Sequence, residues 1–374
     1  MSAMPCCILS QLRGKPLLRV EPCATIGEGS VNRNLQKQGN QMTQFDLSRR
    51  HLLGMGLGGI GALAFGARGL QAQPAQLAQV ALQLSWLHSV QFAGSYIADE
   101  RGFWAERGLQ VRLDAGGPNA PVEPPVVTGT ALVGISAADY TAAAVQQGAP
   151  FRIIGVAMQN NPFAIASLPA NPVNEPKDME GKRIGMPLAN MPVLRTLCTL
   201  NDVDIDKIEI IPTQYDAAPL VAGEVDCLLC WSTDLPVAMF VRGIESVTML
   251  MADFGYTLHS QTYIATDESL ATRRAELVDL MAGEVQGWDA YRADLDAATD
   301  LTLARFPDAG LDRPTQIEQA RRQVPLMFSD LTDANGFGWW TDETVAQNIE
   351  TLALLGMPVE AALWDRSILE EVHG

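Results

Sequence analysis

The sequence predicts an α/β fold of two lobes around a ligand cleft, followed by a helical carboxy-terminal part. Two series of short apolar strands alternate with helix-length segments, which is typical of parallel sheets. A proline-rich polar stretch at 168–181 separates the series and marks the passage between lobes. Ligands of such sheets lie where strand ends meet helix N-termini, so we expect the site between the two sets of strand ends.

The first series opens with the most compact strand–helix–strand unit of the chain. Apolar residues alternate over 80–84, as in a half-buried strand. Ser89 is placed to cap the following helix, and Gly102 and Gly108 are placed to end helices. Alternation resumes over 109–113 and predicts a second strand parallel to the first.

The same reading extends along the rest of the chain. Further strands are predicted at 131–135, 151–156, 163–168, 182–186, 208–211, 225–231, 247–251 and 262–266. Helices are predicted at 139–147, 191–200, 234–241, 272–306, 314–328 and 342–355. The long helical segment is expected to break near Gly283 or Gly287. Lobe 1 is predicted to comprise residues 79–166 plus 267–374, and lobe 2 residues 167–266.

The region before the first strand has the features of an export signal. Ser48-Arg49-Arg50-His51-Leu52-Leu53 resembles the twin-arginine motif and precedes a short apolar run rich in Gly and Ala. We therefore predict a twin-arginine signal peptide at 42–72 and a periplasmic location. Met42 gives this signal an ordinary length, so residues 1–41 are interpreted as an annotation extension.

Charge excludes some classes of partner. The chain has a formal net charge of −17, and its first 72 residues hold eight basic side chains but only three acidic ones. The remainder is therefore strongly acidic, which opposes binding to nucleic acid or to anionic lipid.

Cysteine and histidine usage argues against redox and metal chemistry. Past the signal only Cys198, Cys227 and Cys230 remain, and they imply no disulfide framework. Cys227 and Cys230 lie three apart on an apolar strand, so they face opposite sides and are expected in the core. His88 and His259 are distant in sequence and give no metal motif, so no metal is expected.

Several motifs, in order, resemble one protein family. The run LSWLHSVQFAGSYIADERGFWAERGLQV at 84–111 is similar to the opening of the SsuA/thiamine-pyrimidine-synthase-like solute-binding proteins of ABC transporters. PKDMEGKRIG at 176–185, AGEVD at 222–226 and DESL at 267–270 continue the resemblance. It implies the type II periplasmic-binding-protein fold and capture of a small molecule by lobe closure. It also implies delivery to an ABC permease and ATPase complex by a monomer without a cofactor.

The family also contains an enzyme, the thiamine-pyrimidine synthase, and this chain departs from its motifs. The stretch matching the synthase's cysteine-rich run, residues 256–262, has no cysteine. Ser136 and Tyr140 stand near the turn where the synthase uses a lysine and a histidine. Without that lysine no Schiff base to pyridoxal phosphate forms, so we expect a binding protein rather than an enzyme. A ligand sensor for a membrane receptor remains an alternative.

Aromatic and polar side chains at the predicted strand ends are the candidate ligand contacts. Aromatic walls favour a planar guest, although each ring could instead belong to the core, and Asp139 and Asp216 could be helix caps. No Arg or Lys falls on these loops, which favours a thiamine-pyrimidine precursor or riboflavin-type heterocycle. A sulfonate or nitrate anion held by helix N-termini is the alternative. The candidates are Trp86, Gln91, Phe92, Ser136, Tyr140, Gln159, Asn190, Tyr215, Asp216, Trp231 and Ser232.

Overall fold

A computed structural model describes residues 77–117 and 120–374 of the chain. The predicted signal peptide and the predicted annotation extension lie outside the described residues. Two five-stranded sheets form the centres of two lobes, and the chain after residue 266 is helical. The predicted α/β class with a helical carboxy-terminal part is confirmed.

Ten strands and thirteen α-helices make up the described residues. The strands are β1 Ala78–Gln83, β2 Leu109–Asp114, β3 Val133–Ala137, β4 Phe151–Met158, β5 Phe163–Ser167, β6 Arg183–Met186, β7 Glu209–Pro212, β8 Cys227–Trp231, β9 Val247–Leu250 and β10 Ser260–Thr266. The helices are α1 Ala93–Glu100, α2 Glu123–Val127, α3 Ala138–Gln146, α4 Met191–Leu200, α5 Ala218–Val221, α6 Leu235–Val241, α7 Asp267–Thr272, α8 Arg274–Ala293, α9 Leu295–Arg305, α10 Arg313–Met327, α11 Asp330–Asn335, α12 Asp342–Leu354 and α13 Ser367–His373.

The two sheets have the same topology. Lobe 1 has the strand order β2-β1-β3-β10-β4, and lobe 2 has the order β7-β6-β8-β5-β9. In each lobe the three first strands are parallel, while the fourth strand runs antiparallel to its neighbours. Strand β3 and its following helix in lobe 1 therefore correspond to β8 and its following helix in lobe 2.

The predicted lobe boundaries need a correction at both crossovers. The prediction placed residues 163–166 in lobe 1 and Ser260–Thr266 in lobe 2. In the structure β5 pairs with β8 and β9 of lobe 2, and β10 pairs with β3 and β4 of lobe 1. The local sequence of an apolar strand beside a crossover is compatible with either sheet. Only its pairing with strands far along the chain determines which sheet it joins. We define lobe 1 as 77–158 and 260–374, and lobe 2 as 163–250.

Two short crossovers join the lobes and bond to each other. The outgoing crossover is 159–162 and the return crossover is 251–259. The side-chain Nδ2 of Asn161 donates to the carbonyl of Leu258 at 2.7 Å. The backbone N–H groups of Gln159 and Asn160 donate to the carbonyl of Leu326, at the end of α10. The hinge between the lobes is therefore braced by the carboxy-terminal helices.

The long helical segment breaks later than predicted. Helix α8 ends at Ala293, and Asp294 caps α9 through a bond from the N–H of Ala297 to its carboxylate at 2.9 Å. Gly283 and Gly287 lie inside α8, where an added Cβ would stand 2.1 Å from atoms of Trp104 and Gly94. They permit close packing instead of breaking the helix. Within the described ranges, no helix combines the length and apolarity required to cross a bilayer.

The cysteines lie in the core, as predicted. Cys227 packs in the main apolar core, and Cys230 packs in a separate small core of lobe 2. The two thiols are buried and free. This placement confirms that Cys227 and Cys230 face opposite sides of β8.

Candidate functional site

Two aromatic rings meet across the gap between the lobes. Trp86 follows β1 of lobe 1, and Tyr215 follows β7 of lobe 2. Their ring centroids are 5.7 Å apart and their planes are inclined by 75°. Trp86 is half-buried, while 49% of the surface of Tyr215 is exposed. The strand ends of both lobes therefore face one cleft, as the sequence predicts.

A second aromatic group lies where the lobes join. Trp231 at the end of β8 meets Phe163 at the start of β5, with centroids 6.2 Å apart. Phe163 in turn meets Tyr256 of the return crossover at 6.1 Å, and both contacts are edge to face. Such contacts contribute about 0.5–1.5 kcal/mol each beyond burial. They fix the rings of lobe 2 against the hinge.

The turn after β3 carries the polar side of lobe 1. Ser136 is buried and its Oγ donates to Oε1 of Glu123 at 2.5 Å. Asp139 accepts a bond from the backbone N–H of Tyr140 at 3.0 Å. Burial raises the pKa of Asp139, and the nearby charge of Glu123 raises it further. The carboxyl groups of Glu123 and Asp139 therefore both lie beside this turn.

The corresponding part of lobe 2 holds a third carboxyl group. Burial raises the pKa of Asp234, which directly precedes α6. Burial also raises the pKa of Tyr215; the nearby side chain of Asn190 opposes this shift, and the charge of Asp234 adds to it. Asn190 and Asp234 therefore both lie near the hydroxyl of Tyr215.

The pKa values of Tyr140 and Tyr256 respond to groups on the other lobe or across the hinge. Tyr140 is 64% exposed, and its pKa is raised by desolvation and then by Asp139 and Tyr215. The pKa of Tyr256 is raised well above its usual value, first by burial and then by Asp139 and Tyr140. The return crossover that carries Tyr256 is bonded to this turn through the N–H of Ala138 and the carbonyl of His259, 3.1 Å apart, so Tyr256 lies beside the same site.

The structure brings more than half of the predicted contact residues together. Those that meet directly or through a shared neighbour around the cleft are Trp86, Ser136, Tyr140, Asn190, Tyr215 and Trp231. Ser232 adjoins them, since its backbone N–H donates to the carbonyl of Pro162 in the outgoing crossover at 2.8 Å.

The other predicted contacts have local structural partners. Phe92 has no exposed surface and packs in the apolar core, so it contributes packing rather than a cleft wall. Nε2 of Gln159 donates to the carbonyl of Val156 at 3.0 Å. Asp216 is exposed and accepts from the N–H of Ala218. Gln91 is 6% exposed and its backbone carbonyl accepts from Gln323.

Four residues of the site were not among the predicted contacts. For Asp139, a polar residue near the predicted contacts, the sequence favours a role as a helix cap, but α3 begins at Ala138 and its N-cap residue is Ala137. Asp234 precedes a helix in the pattern STDLP, which suggests a helix cap. This pattern gives no indication that Asp234 lies near Tyr215. Glu123 and Tyr256 reach the site through tertiary packing, and no local pattern distinguishes them. No cluster of three His, Cys, Asp or Glu side chains suited to a metal ion occurs within 77–117 and 120–374.

Two curated relatives are binding proteins. The riboflavin-binding protein RibY of Chloroflexus aurantiacus is 27% identical over 304 residues, covering 77% of this chain and 85% of its own. The formylaminopyrimidine-binding protein of Halalkalibacterium halodurans is 19% identical over 268 residues, covering 70% and 80%.

Solved structures support the fold. The periplasmic aliphatic sulphonate binding protein SsuA of Escherichia coli superposes with a TM-score of 0.59 at 15% identity. The superposition covers 74% of this chain and 86% of SsuA. The type II periplasmic-binding-protein fold is thereby confirmed. The family model described as NMT1/THI5 like matches residues 89–298, more than half of the chain, and the protein belongs to this family.

Proposed function

We propose that the protein is an extracytoplasmic solute-binding protein of an ABC importer that captures a small planar heterocycle by closing its two lobes. The observation that carries the proposal is the meeting of Trp86 and Tyr215 across the cleft, 5.7 Å apart. Aromatic side chains on opposite lobes are suited to enclose a flat guest when the lobes close. The names of two relatives, which bind riboflavin and formylaminopyrimidine, support a ligand of this shape.

The electrostatics of the cleft favour a heterocycle over an anion. Sulfonate and nitrate ligands ordinarily require Arg or Lys partners. No basic side chain contributes to the raised pKa of Asp139, Tyr140 or Asp234 among the described residues. The carboxyl groups would repel an anion, so the sulfonate alternative has less support than a thiamine-pyrimidine precursor or a flavin.

The proposal includes a carrier role without catalysis. The protein would be exported to the periplasm, act as a monomer and pass its ligand to a membrane permease driven by a separate ATPase. The relatives named above are binding proteins. Ser136 donates to Glu123 and so is engaged as a hydrogen-bond donor rather than activated as a nucleophile. These features support binding over the synthase alternative.

Isothermal titration tests the proposal directly. The purified chain from residue 73 onward is titrated with riboflavin, 4-amino-5-hydroxymethyl-2-methylpyrimidine, formylaminopyrimidine and taurine. At least one heterocycle is expected to bind, and Tyr215→Ala is expected to weaken it about tenfold, while Tyr215→Phe, which keeps the ring, stays within about threefold. Binding of taurine without any heterocycle would overturn the proposed ligand class. An unchanged radius of gyration at saturating ligand would contradict lobe closure.

A further inference from the structure

The three carboxyl groups of the cleft have no basic partner. Two other partly buried acids pair with arginine, since Asp226 lies 3.0 Å from Arg183 and Asp99 lies 2.5 Å from Arg305. The fully buried Glu284 instead accepts hydrogen bonds from Tyr263 and Trp288. Among the described residues, no salt bridge within 4.0 Å involves the cleft acids, which are Glu123, Asp139 and Asp234.

This arrangement is energetically unfavourable without a positive ligand. Removing a carboxylate from water destabilises its charged form unless an opposite charge compensates. Desolvation raises the pKa of the half-buried Asp139, and the charge of Glu123 raises it again. Partial desolvation also raises the pKa of Asp234, although this residue keeps an exposed surface. A cation placed among these groups would relieve both the desolvation and the mutual repulsion.

The lobe 1 carboxylates are held in place with free oxygens. The hydroxyl of Ser136 bonds to Oε1 of Glu123, and the N–H of Tyr140 bonds to Oδ1 of Asp139. Within the described residues, Oε2 of Glu123 and Oδ2 of Asp139 take part in no hydrogen bond to the protein. Each carboxylate is therefore oriented by one oxygen and can accept a ligand hydrogen with the other.

A separate observation at the hinge also indicates a polar ligand. Tyr256 has no exposed surface, and its hydroxyl has no hydrogen-bond partner among the described residues. Leaving a buried hydroxyl without a hydrogen-bond partner destabilises the protein. The return crossover that carries Tyr256 is bonded to the same turn, since the N–H of Ala138 donates to the carbonyl of His259 at 3.1 Å. Asp139 and Tyr140 of this turn are electrostatic neighbours of the Tyr256 hydroxyl.

We propose that the cleft selects a heterocycle with a positively charged nitrogen group. Glu123 and Asp139 would accept hydrogen bonds from that nitrogen, and the hydroxyl of Tyr256 would bond to a polar atom of the same ligand. Asp234 would contribute longer-range attraction from lobe 2. The inference rests on the proposed function and defines the charge of its ligand.

Titration of matched ligand pairs tests the inference. The first pair is 4-amino-5-aminomethyl-2-methylpyrimidine, a cation at pH 7.5, against its neutral hydroxymethyl analogue. The second pair is neutral riboflavin against its anionic 5′-phosphate. In any pair that binds, we expect the more positive ligand to bind at least about tenfold more tightly than its partner. Glu123→Gln and Asp139→Asn keep the accepting oxygen and should each reduce this preference at least about fivefold.

The control is Asp206→Asn, which removes an exposed carboxylate before β7, at the strand end away from Tyr215. It should leave the preference unchanged, and thermal unfolding identifies any variant that fails to fold. Equal affinities within a pair, or a preference that survives both carboxylate substitutions, would overturn the inference while leaving the proposed function intact. Failure of all four heterocycles to bind would overturn the proposed function, and the inference with it.

Discussion

The turns after β3 and β8 occupy the same place in the two sheets but differ in how firmly they are held. In lobe 1 the turn is braced, since Ser136 bonds to Glu123 and Asp139 bonds to the following N–H. In lobe 2, Asp234 keeps an exposed surface at the entry to α6, although partial desolvation of its carboxyl raises its pKa, and its side chain makes no capping bond. Lobe 1 therefore presents a preorganised half-site, and lobe 2 completes it on closure. Preorganised contacts contribute more to affinity because less freedom is lost when the ligand binds.

Matched substitutions of the two aspartates should give the largest difference between the lobes. With the aminomethylpyrimidine as ligand, Asp139→Asn is expected to weaken binding about twentyfold, in the range of a lost charged hydrogen bond. Asp234→Asn should weaken it only about threefold, because the exposed carboxylate acts through solvent. Titration calorimetry at one ionic strength measures both. A larger loss for Asp234→Asn would reverse the assignment of the preorganised lobe.

Removing either ring of the aromatic pair between the lobes should weaken ligand binding less than Asp139→Asn does, and by a similar factor for each ring. Trp86→Ala and Tyr215→Ala are each expected to weaken heterocycle binding about tenfold. The double variant should lose less than the product of the single effects, with a coupling of about 0.5–1.5 kcal/mol.

A double-mutant cycle on the dissociation constant measures this coupling. Fully multiplicative effects would show that the two rings act independently in the bound state. Asp206→Asn, at the end of β7 away from Tyr215, serves as the control outside the pair.

The local parts of this fold could be predicted from the sequence. Ser89 caps its turn through a bond from the N–H of Gln91 at 3.3 Å, and Gly102 and Gly108 adopt φ values of 74° and 83° at helix ends. These signals depend on neighbouring residues only. The lobe membership of β5 and β10 depends on pairing with strands far along the chain, and the local pattern holds no information about it.

The site shows the same division between local and distant signals. Trp86, Tyr215 and Trp231 could be predicted because an aromatic residue at a strand end stands out in the sequence. Glu123 lies in the otherwise unremarkable segment VEPPVV, and Tyr256 lies in a crossover. They join the site because Ser136 bonds to Glu123 and because the return crossover bonds to the start of α3, from Ala138 to His259, which only the tertiary structure shows.

Between pH 7.5 and 5.0, stability should depend on pH through the buried histidine of the return crossover, and lobe 2 contains no histidine. Burial lowers the pKa of His259 to about 3, and its Nδ1 accepts from Nε1 of Trp364. An unfolded chain protonates this imidazole near its ordinary pKa of about 6.5. The stabilisation is therefore present above pH 6.5 and is lost as the pH falls toward 3, at about 1.4 kcal/mol per pH unit.

Urea unfolding at pH 7.5, 6.0 and 5.0 measures this dependence. His259→Gln should reduce the slope of the unfolding free energy against pH over this range. Trp364→Phe removes the hydrogen bond but keeps the buried imidazole, so it should be less stable with the slope retained. An unchanged slope in His259→Gln would contradict this account.

The smallest expected effect concerns the thiols, which report on lobe 2 alone. Cys198, Cys227 and Cys230 all lie in lobe 2, and burial raises the pKa of Cys198 to about 11 and that of Cys227 to about 12. Alkylation by iodoacetamide at pH 8 should therefore be slow in the native chain, because the thiolate is the reactive form. Saturating ligand should slow it only slightly more, since closure protects the cleft face and these thiols are already buried. Peptide mapping by mass spectrometry measures each rate. Fast labelling of Cys230 in native buffer would show that lobe 2 opens locally, and its aspartate would then be a poor partner for a bound cation.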